Sequence, residues 1–330
     1  MQRRAIIVSA TMLLAACSVQ QWRPSRSPAM DDHMSHMSVA DIRSTASASN
    51  RSADWQGVPG LPASNNAAAA RIQASPRHAE WVKIAWGPGS KDSLMAWIVY
   101  PVGSKKAPVV VVVHEIYGLS TWVRGVADQV AAEGFIAIAP DLNSRVRGGP
   151  STDELTRDSS QKIIRGVPNA DKDAGVLAAA NYAMSQPAAE KKYGVVGYCW
   201  GGSVAFNHAV FNGKGHAASV AYYGLPYTGP NPADPTKQIP AVDSLKKIQV
   251  PVMLLSGTGD ARITAAMPDL AAAMKSLGKT YESTNYEGAI HGFLRAQDDT
   301  PDAAGQANLT ATKDAWPKTI AFFKKNLGVK

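Results

Sequence analysis

Five consecutive valines, Val109–Val113, form a run that is apolar at every position. Successive side chains of a strand point to opposite faces, so a strand without polar positions must be buried on both faces. Similar runs occur at 135–140, 193–198 and 250–257, and helical patterns stand between them. Strands that alternate with helices predict an α/β fold, with a mostly parallel central sheet and helices on both faces.

A change of composition near residue 76 predicts where this folded domain begins. Residues 17–76 are rich in Ala, Ser, Asn and Pro and have no sustained helical or strand period, as expected for a flexible tether. We therefore predict a single folded domain over residues 77–330. The tether also holds a His- and Met-rich segment at 30–38, and binding of copper or zinc there is an alternative function.

The first sixteen residues have the pattern of an export signal. Two arginines precede a twelve-residue apolar segment, which is too short for a membrane-spanning helix. The segment ends in LAAC, which resembles the bacterial lipobox, so we expect residues 1–16 to be removed and Cys17 to be lipidated. A plain secretory signal is the alternative. We expect the protein on the periplasmic side of the outer or inner membrane, and Ser18 favours the outer one.

Charge and cysteine content narrow the possible functions. The net charge of +8 is spread along the chain without a long basic run, which argues against nucleic-acid binding. The two cysteines, Cys17 and Cys199, are too few for the disulfide framework of a small exported protein. If Cys17 is lipidated, Cys199 is a single free thiol, which is either buried or used in catalysis.

Cys199 lies in a glycine-rich turn between a predicted strand and a predicted helix. Gly197, Cys199 and Gly201 have the G-x-C-x-G spacing of a nucleophile elbow, in which a strained turn projects a nucleophile above the sheet. The N-terminus of the following helix favours an anion, as a thiolate or an oxyanion would be. A small buried cysteine in an ordinary strand-to-helix turn is the alternative.

An acid and a histidine follow two later strands. Asp260 comes after the run at 250–257, and His291 comes after the next predicted strand. Nucleophile, acid and histidine therefore occur in the order typical of α/β-hydrolases, with His291 as the base and Asp260 orienting its imidazole. His114 also ends a strand, but it precedes Cys199 and would leave Asp260 without a role.

Four motifs together resemble the dienelactone hydrolase family of α/β-hydrolases: GYCWGG at 197–202, GTGDARI at 257–263, HGFLR at 291–295 and HEIYGL at 114–119. The resemblance runs from about residue 80 to the end of the chain. It implies the α/β-hydrolase fold and hydrolysis of a small ester or lactone by a Cys-His-Asp triad through an acyl thioester. We expect a monomer that uses no cofactor and no metal. A membrane-tethered binding or envelope protein on an inactive hydrolase scaffold is the alternative.

The resemblance also implies roles for three residues around the nucleophile. Glu115 would contact the resting cysteine, and substrate binding would displace it. The backbone N–H groups of Trp200 and Ile116 would form the oxyanion hole.

Two arginines would bind a substrate carboxylate in the same family. The matching residues are Arg145 and Arg295, and an arginine suits this task because its fork of N–H groups binds both carboxylate oxygens. Arg147 is an alternative to Arg145. Tyr117 stands where the family commonly has phenylalanine, and we predict that it contacts the substrate.

Overall fold

The computed structural model describes residues 57–329, apart from positions 88, 104, 152, 154 and 299–301, and it describes no side chains at 235–237. The predicted export signal, Cys17 and the His- and Met-rich segment lie outside these residues and stay predictions. Among the described helices, none combines the length and the apolarity needed to cross a membrane.

Most of the described strands belong to one central sheet. The strands are β1 (Ala79–Ala85), β2 (Ser93–Val99), β3 (Ala107–Val113), β4 (Ile136–Pro140), β5 (Ala189–Tyr198), β6 (His216–Tyr222), β7 (Thr228–Asn231), β8 (Asp234–Pro240), β9 (Val252–Gly257) and β10 (Tyr281–Tyr286). Eight form the sheet in the order β1-β2-β4-β3-β5-β6-β9-β10, and β7 pairs with β8 alone. Only β1 and β2 bring antiparallel pairing to the central sheet. The predicted mostly parallel sheet is confirmed.

Helices cover this sheet. The described helices are α1 (Ala68–Gln73), α2 (Thr121–Ala132), α3 (Ser144–Arg147), α4 (Arg157–Arg165), α5 (Asn169–Ser185), α6 (Trp200–Phe211), α7 (Val242–Leu245), α8 (Ala261–Ser276) and α9 (Ala303–Leu327). The central strand β3 is buried at every position. Because its side chains alternate between the two faces, both faces of the sheet must be covered.

Residues 57–76, here called the N-terminal strap, belong to the folded domain, although their composition predicts a tether. The α1 segment packs against α2, and its small residue Ala68 is fully buried. The guanidinium of Arg71 donates to Oε1 of Gln129 at 2.8 Å and to the carbonyl of Leu61 at 3.2 Å. The folded domain therefore begins before the predicted boundary at residue 77. The alanines of this segment favoured the prediction of a tether. In the structure their small size permits close packing of α1 against α2.

The parallel strands place their carboxyl ends along one edge of the sheet, where ligands bind in open α/β sheets. The loop after β3 carries Glu115, the turn after β5 carries Cys199, and the loop after β9 carries Asp260. Residues distant in the chain are brought together at this edge.

Candidate active site

Cys199 adopts a strained backbone conformation between β5 and α6. Its φ is 57° and its ψ is −119°, a region that residues with a side chain rarely adopt. A Cβ atom on Gly197 would lie 1.9 Å from the carbonyl oxygen of Gly201, so the close contact between strand and helix requires glycine. The turn has the geometry predicted for a nucleophile elbow, and it places Cys199 at the N-terminus of α6.

His291 and Asp260 form a close pair. Nδ1 of His291 lies 2.6 Å from Oδ2 of Asp260, and both side chains are nearly excluded from solvent. The other oxygen of Asp260 accepts the backbone N–H of Ile263 at 3.1 Å and so caps α8. The two loops are also joined by a hydrogen bond from the backbone N–H of Gly259 to the carbonyl of Ala289, at 2.9 Å. The carboxylate is held from two sides and fixes the imidazole ring.

Charge interactions connect this pair to Cys199. Burial alone would lower the pKa of His291, but the charge of Cys199 and the hydrogen bond to Asp260 raise that pKa well above its ordinary value of 6.5. Burial alone would raise the pKa of Asp260, but the hydrogen bond and charge of His291 lower that pKa below 3.8. The contacts of His291 therefore favour its protonated form beside the carboxylate of Asp260.

A cavity of about 530 Å³ is lined by residues of the N-terminal strap, of the loop after β3 and of the segment that leads into α4. Glu115, Tyr117 and Arg295 are among its lining residues. Nε of Arg295 lies 3.2 Å from Oε2 of Glu115, and the guanidinium stands over the ring of Tyr117 at 5.6 Å from its centroid. Burial raises the pKa of the Tyr117 phenol, and the charge of Glu115 adds to this rise. Glu115 follows β3 and Arg295 comes four residues after His291, so the cavity lies at the same edge of the sheet as Cys199 and His291, although neither of these two residues lines it.

The sequence profile of the dienelactone hydrolase family matches residues 94–327. The chain belongs to the dienelactone hydrolase family. It is a hydrolase of the carboxylic ester and lactone class, and the alternative of an inactive scaffold is not favoured. The N-terminal strap and β1 precede the matched region.

Individual relatives agree with this membership. The carboxymethylenebutenolidase of Pseudomonas putida is 31% identical over 196 residues, which are 57% of this chain and 76% of the relative. A crystal structure from Klebsiella pneumoniae, assigned as a dienelactone hydrolase, is 27% identical and has a TM-score of 0.60, covering 75% of this chain and 98% of that one. A dienelactone hydrolase-like promiscuous phosphotriesterase from metagenomic libraries shares the fold at 21% identity, with a TM-score of 0.58 and coverage of 76% and 98%.

The two predicted substrate-binding arginines of this hydrolase lie in different places. Arg295 lines the cavity, whereas Arg145 on α3 is paired with Asp92 at 2.7 Å and with Asp171 at 3.1 Å. Arg145 is not among the residues that line the cavity. A second arginine of the cavity is Arg157, the first residue of α4, which the sequence analysis did not single out. Its position depends on how the segment after α3 folds back, which no local pattern indicates.

The predicted oxyanion donors belong to two different turns, since Trp200 directly follows Cys199 and Ile116 lies in the loop after β3. Trp200 is the first residue of α6, where backbone N–H groups have no acceptor within the helix. Its side chain is buried and does not line the cavity. Ile116 follows Glu115 directly, and its carbonyl accepts from Nδ2 of Asn143 at 3.4 Å. The bulk of Trp200 therefore contributes to packing and not to the cavity wall.

Tyr223 is a site residue that the sequence analysis missed. It follows β6 with a φ of 40°, and its ring centroid lies 4.9 Å from that of His291. Burial, together with the charges of Glu115 and Cys199, raises the pKa of the Tyr223 phenol well above 10. The available signal was an aromatic residue before glycine at the carboxyl end of a predicted strand. Tyr223 therefore packs against the imidazole of His291.

No three or more His, Cys, Asp or Glu side chains in the described part of the chain lie close enough to hold a metal ion together.

Proposed function

We propose that this hydrolase cleaves ester or lactone bonds with Cys199 as the nucleophile and an acyl thioester as the intermediate. The observation that carries the proposal is the strained turn that places Cys199 at the N-terminus of α6, in a chain whose His291 imidazole is bonded to Asp260 at 2.6 Å. A buried imidazolium beside the sulfur stabilises a thiolate, and the thiolate is the attacking form of cysteine.

In the first step the sulfur of Cys199 attacks the substrate carbonyl carbon. A C–S bond forms, and the π electron pair moves onto the carbonyl oxygen. The N–H groups of Trp200 and Ile116 stabilise this oxyanion, by about 3–4 kcal/mol per donor on the general mutational scale. The intermediate collapses when the ester C–O bond breaks, and His291 gives its proton to the leaving oxygen. In a lactone that oxygen remains attached to the acyl chain.

In the second step water cleaves the thioester. The neutral imidazole of His291 accepts a proton from water while the water oxygen attacks the thioester carbon. The C–S bond then breaks, and the sulfur of Cys199 leaves as a thiolate beside the re-formed imidazolium. Asp260 keeps Nδ1 protonated throughout, so the protons pass through Nε2.

The cavity supports a substrate that carries a carboxylate. Two arginines line it, Arg295 and Arg157, and the charge of Arg295 is balanced by Glu115 in the absence of substrate. A substrate carboxylate offers Arg295 the same chemistry as Glu115 and would replace it. We assign this carboxylate to Arg295 and Arg157. Participation of Arg145 would require it to leave Asp92 and Asp171.

The decisive experiment compares wild type, Cys199→Ser and Cys199→Ala on paired substrates. Each pair is a lactone or aryl ester with a free carboxylate and its methyl-ester counterpart. Wild type should hydrolyse the carboxylate member faster, and Cys199→Ala should lose hydrolysis. Mass spectrometry of quenched wild type should show one acyl group on Cys199. Full activity in Cys199→Ala would exclude the mechanism, and equal rates within each pair would exclude the assigned carboxylate.

We also propose that the chain is exported and anchored to a membrane through a lipid on Cys17. The support is the basic start, the apolar segment and the LAAC motif. Metabolic labelling with a radioactive fatty acid should mark the wild-type protein and not Cys17→Ala. Secretion of an unlabelled wild-type protein would favour the plain secretory signal instead.

A further inference from the structure

His114 lies at the end of β3, beside the site but outside the proposed chemical steps. Its side chain is fully buried. Nδ1 lies 2.6 Å from the carbonyl oxygen of Glu115, and Nε2 lies 3.0 Å from the backbone nitrogen of Leu142. Because a carbonyl only accepts and a backbone N–H only donates, Nδ1 carries the proton and Nε2 is the acceptor.

The ring of His114 is held in this neutral form. Burial lowers the pKa of His114, although the charge of Asp141 and the bond to the Glu115 carbonyl oppose the shift. A protonated Nε2 could no longer accept the hydrogen bond from Leu142. His114 is therefore a fixed tautomer and not a proton carrier.

The hydrogen bond to Glu115 orients the peptide that joins Glu115 to Ile116. The C=O of Glu115 and the N–H of Ile116 belong to one planar trans unit and point in opposite directions. A side chain that holds the carbonyl on one side therefore aims the N–H on the other side. That N–H is one of the two proposed oxyanion donors.

The same imidazole also contacts the residue that supplies the second donor. The rings of His114 and Trp200 are stacked, with centroids 5.4 Å apart and planes 13° apart. Trp200 begins α6, so this contact fixes the first turn of the helix that carries the other proposed donor. A Cβ atom on Gly201 would lie 2.3 Å from the carbonyl oxygen of His114, which shows how closely the two loops approach.

We propose that His114 is a positioning residue that orients both backbone donors of the oxyanion hole, Ile116 through a hydrogen bond and Trp200 through ring stacking. This inference rests on the proposed function, since it assumes that an oxyanion forms at Cys199.

The test uses His114→Phe, which keeps a stacking ring without hydrogen bonds, and His114→Asn, whose Nδ2 can still donate to the Glu115 carbonyl. We expect His114→Phe to lower kcat for ester hydrolysis by about 100-fold, the scale of a small misplacement of catalytic groups. KM should change little, and His114→Asn should recover part of kcat. Binding of a trifluoromethyl ketone, which forms an oxyanion adduct with the thiolate, should weaken in parallel with kcat.

The control is alkylation of Cys199 by iodoacetamide, which attacks an sp³ carbon and forms no oxyanion. Its rate should stay at the wild-type value in both variants. If alkylation falls together with hydrolysis, His114 acts only on general structure and the proposal is wrong. Wild-type kcat in His114→Phe would also overturn it.

A measurement on the unmutated protein keeps the proposal testable if both variants fail to fold. Nitrogen NMR of the His114 ring in wild type should show a neutral ring protonated at Nδ1 at neutral pH. A charged ring or the Nε2–H tautomer would refute the proposal.

The outcomes separate this proposal from the proposed function. If wild type hydrolyses no ester but still binds the trifluoromethyl ketone, and His114→Phe weakens that binding, the positioning role stands and the ester hydrolase does not.

Discussion

The carboxylate of Glu115 lies 3.2 Å from Nε of Arg295, and both side chains are nearly buried. One residue follows β3 and the other follows β10, so the pair joins two loops that are distant in the chain. Two buried charges lose the stabilisation of water, and a close partner offsets that loss. Each member of this pair therefore depends on the other.

Arg295→Met should destabilise the fold by about 3–5 kcal/mol, because it leaves the buried carboxylate of Glu115 without its partner. The double variant Glu115→Gln/Arg295→Met removes both charges and should be more stable than Arg295→Met alone. Urea unfolding of the two single variants, the double variant and wild type measures the coupling. Simple additivity of the single effects would contradict the prediction.

The Asp260–His291 pair predicts a pH-dependent contribution to stability. The raised pKa of His291 gives stability that is complete below pH 6.5 and is lost as the pH rises through the folded value. The lowered pKa of Asp260 gives stability that is complete above pH 3.8 and is lost as the pH falls through the folded value. The difference in free energy of unfolding between wild type and Asp260→Asn should therefore be largest between pH 3.8 and pH 6.5, where both contributions are complete.

At that maximum, Asp260→Asn should cost about 3–5 kcal/mol, as for a buried pair that loses one partner. Urea unfolding at a series of pH values measures the difference. A difference independent of pH would show that the loss comes from helix capping and not from the ion pair.

The N-terminal strap should be needed for stability. It supplies the hydrogen bonds of Arg71 and the buried side chain of Leu61, and the carbonyl of Ala63 accepts from Nε1 of Trp122 at 3.0 Å. Burial of one leucine stabilises by about 1.5–3 kcal/mol, and a hydrogen bond from a charged donor by about 1.5–3 kcal/mol. Removing residues 1–76 should therefore lower the free energy of unfolding by at least about 3 kcal/mol.

The matched reference is a chain that lacks only residues 1–56, since it keeps every contact of the strap named above, and it should be more stable in urea than the chain that lacks residues 1–76. The strap also lines the cavity through Asn65, whose backbone N–H donates to the carbonyl of Arg295 at 3.0 Å. Removal of the strap should raise KM for carboxylate-bearing substrates, because it removes this hydrogen bond to Arg295. Equal stability of the two truncated chains would mean that the strap is not part of the folding unit.

Gly201→Ala should unfold the nucleophile turn. Its Cβ would lie 2.3 Å from the carbonyl oxygen of His114 and 2.5 Å from that of Val113, both backbone atoms that cannot move alone. Gly229→Ala is the control, since a Cβ there meets no atom within 4 Å. In thermal unfolding, the melting temperature of Gly201→Ala should fall far below that of wild type, whereas that of Gly229→Ala should stay almost unchanged. Equal melting temperatures would contradict the close approach of the two loops.

Much of the sheet and of the nucleophile turn could be predicted from the sequence. The runs around Val109–Val113 and 193–198 are apolar without interruption, which suits only strands buried on both faces. Cys199 and Asp260 follow such runs, His291 follows the next predicted strand, and parallel strands end at one edge of the sheet. For these reasons Cys199, Asp260 and His291 were expected together.

Only the tertiary structure shows which arginine lines the cavity and that the N-terminal strap forms part of the cavity wall. Arg145 and Arg157 lie on neighbouring segments, and only the folding of these segments directs Arg157 to the cavity and Arg145 to two aspartates. The alanine-rich strap looked like a tether because small residues carry no strong period, yet they suit a close helix contact. Tyr223 packs against His291 and His114 stacks on Trp200, and in both pairs the partner is distant in the chain. Strand ends and tight turns follow from neighbouring residues, whereas the partners of a buried side chain depend on how distant loops pack, which no local pattern records.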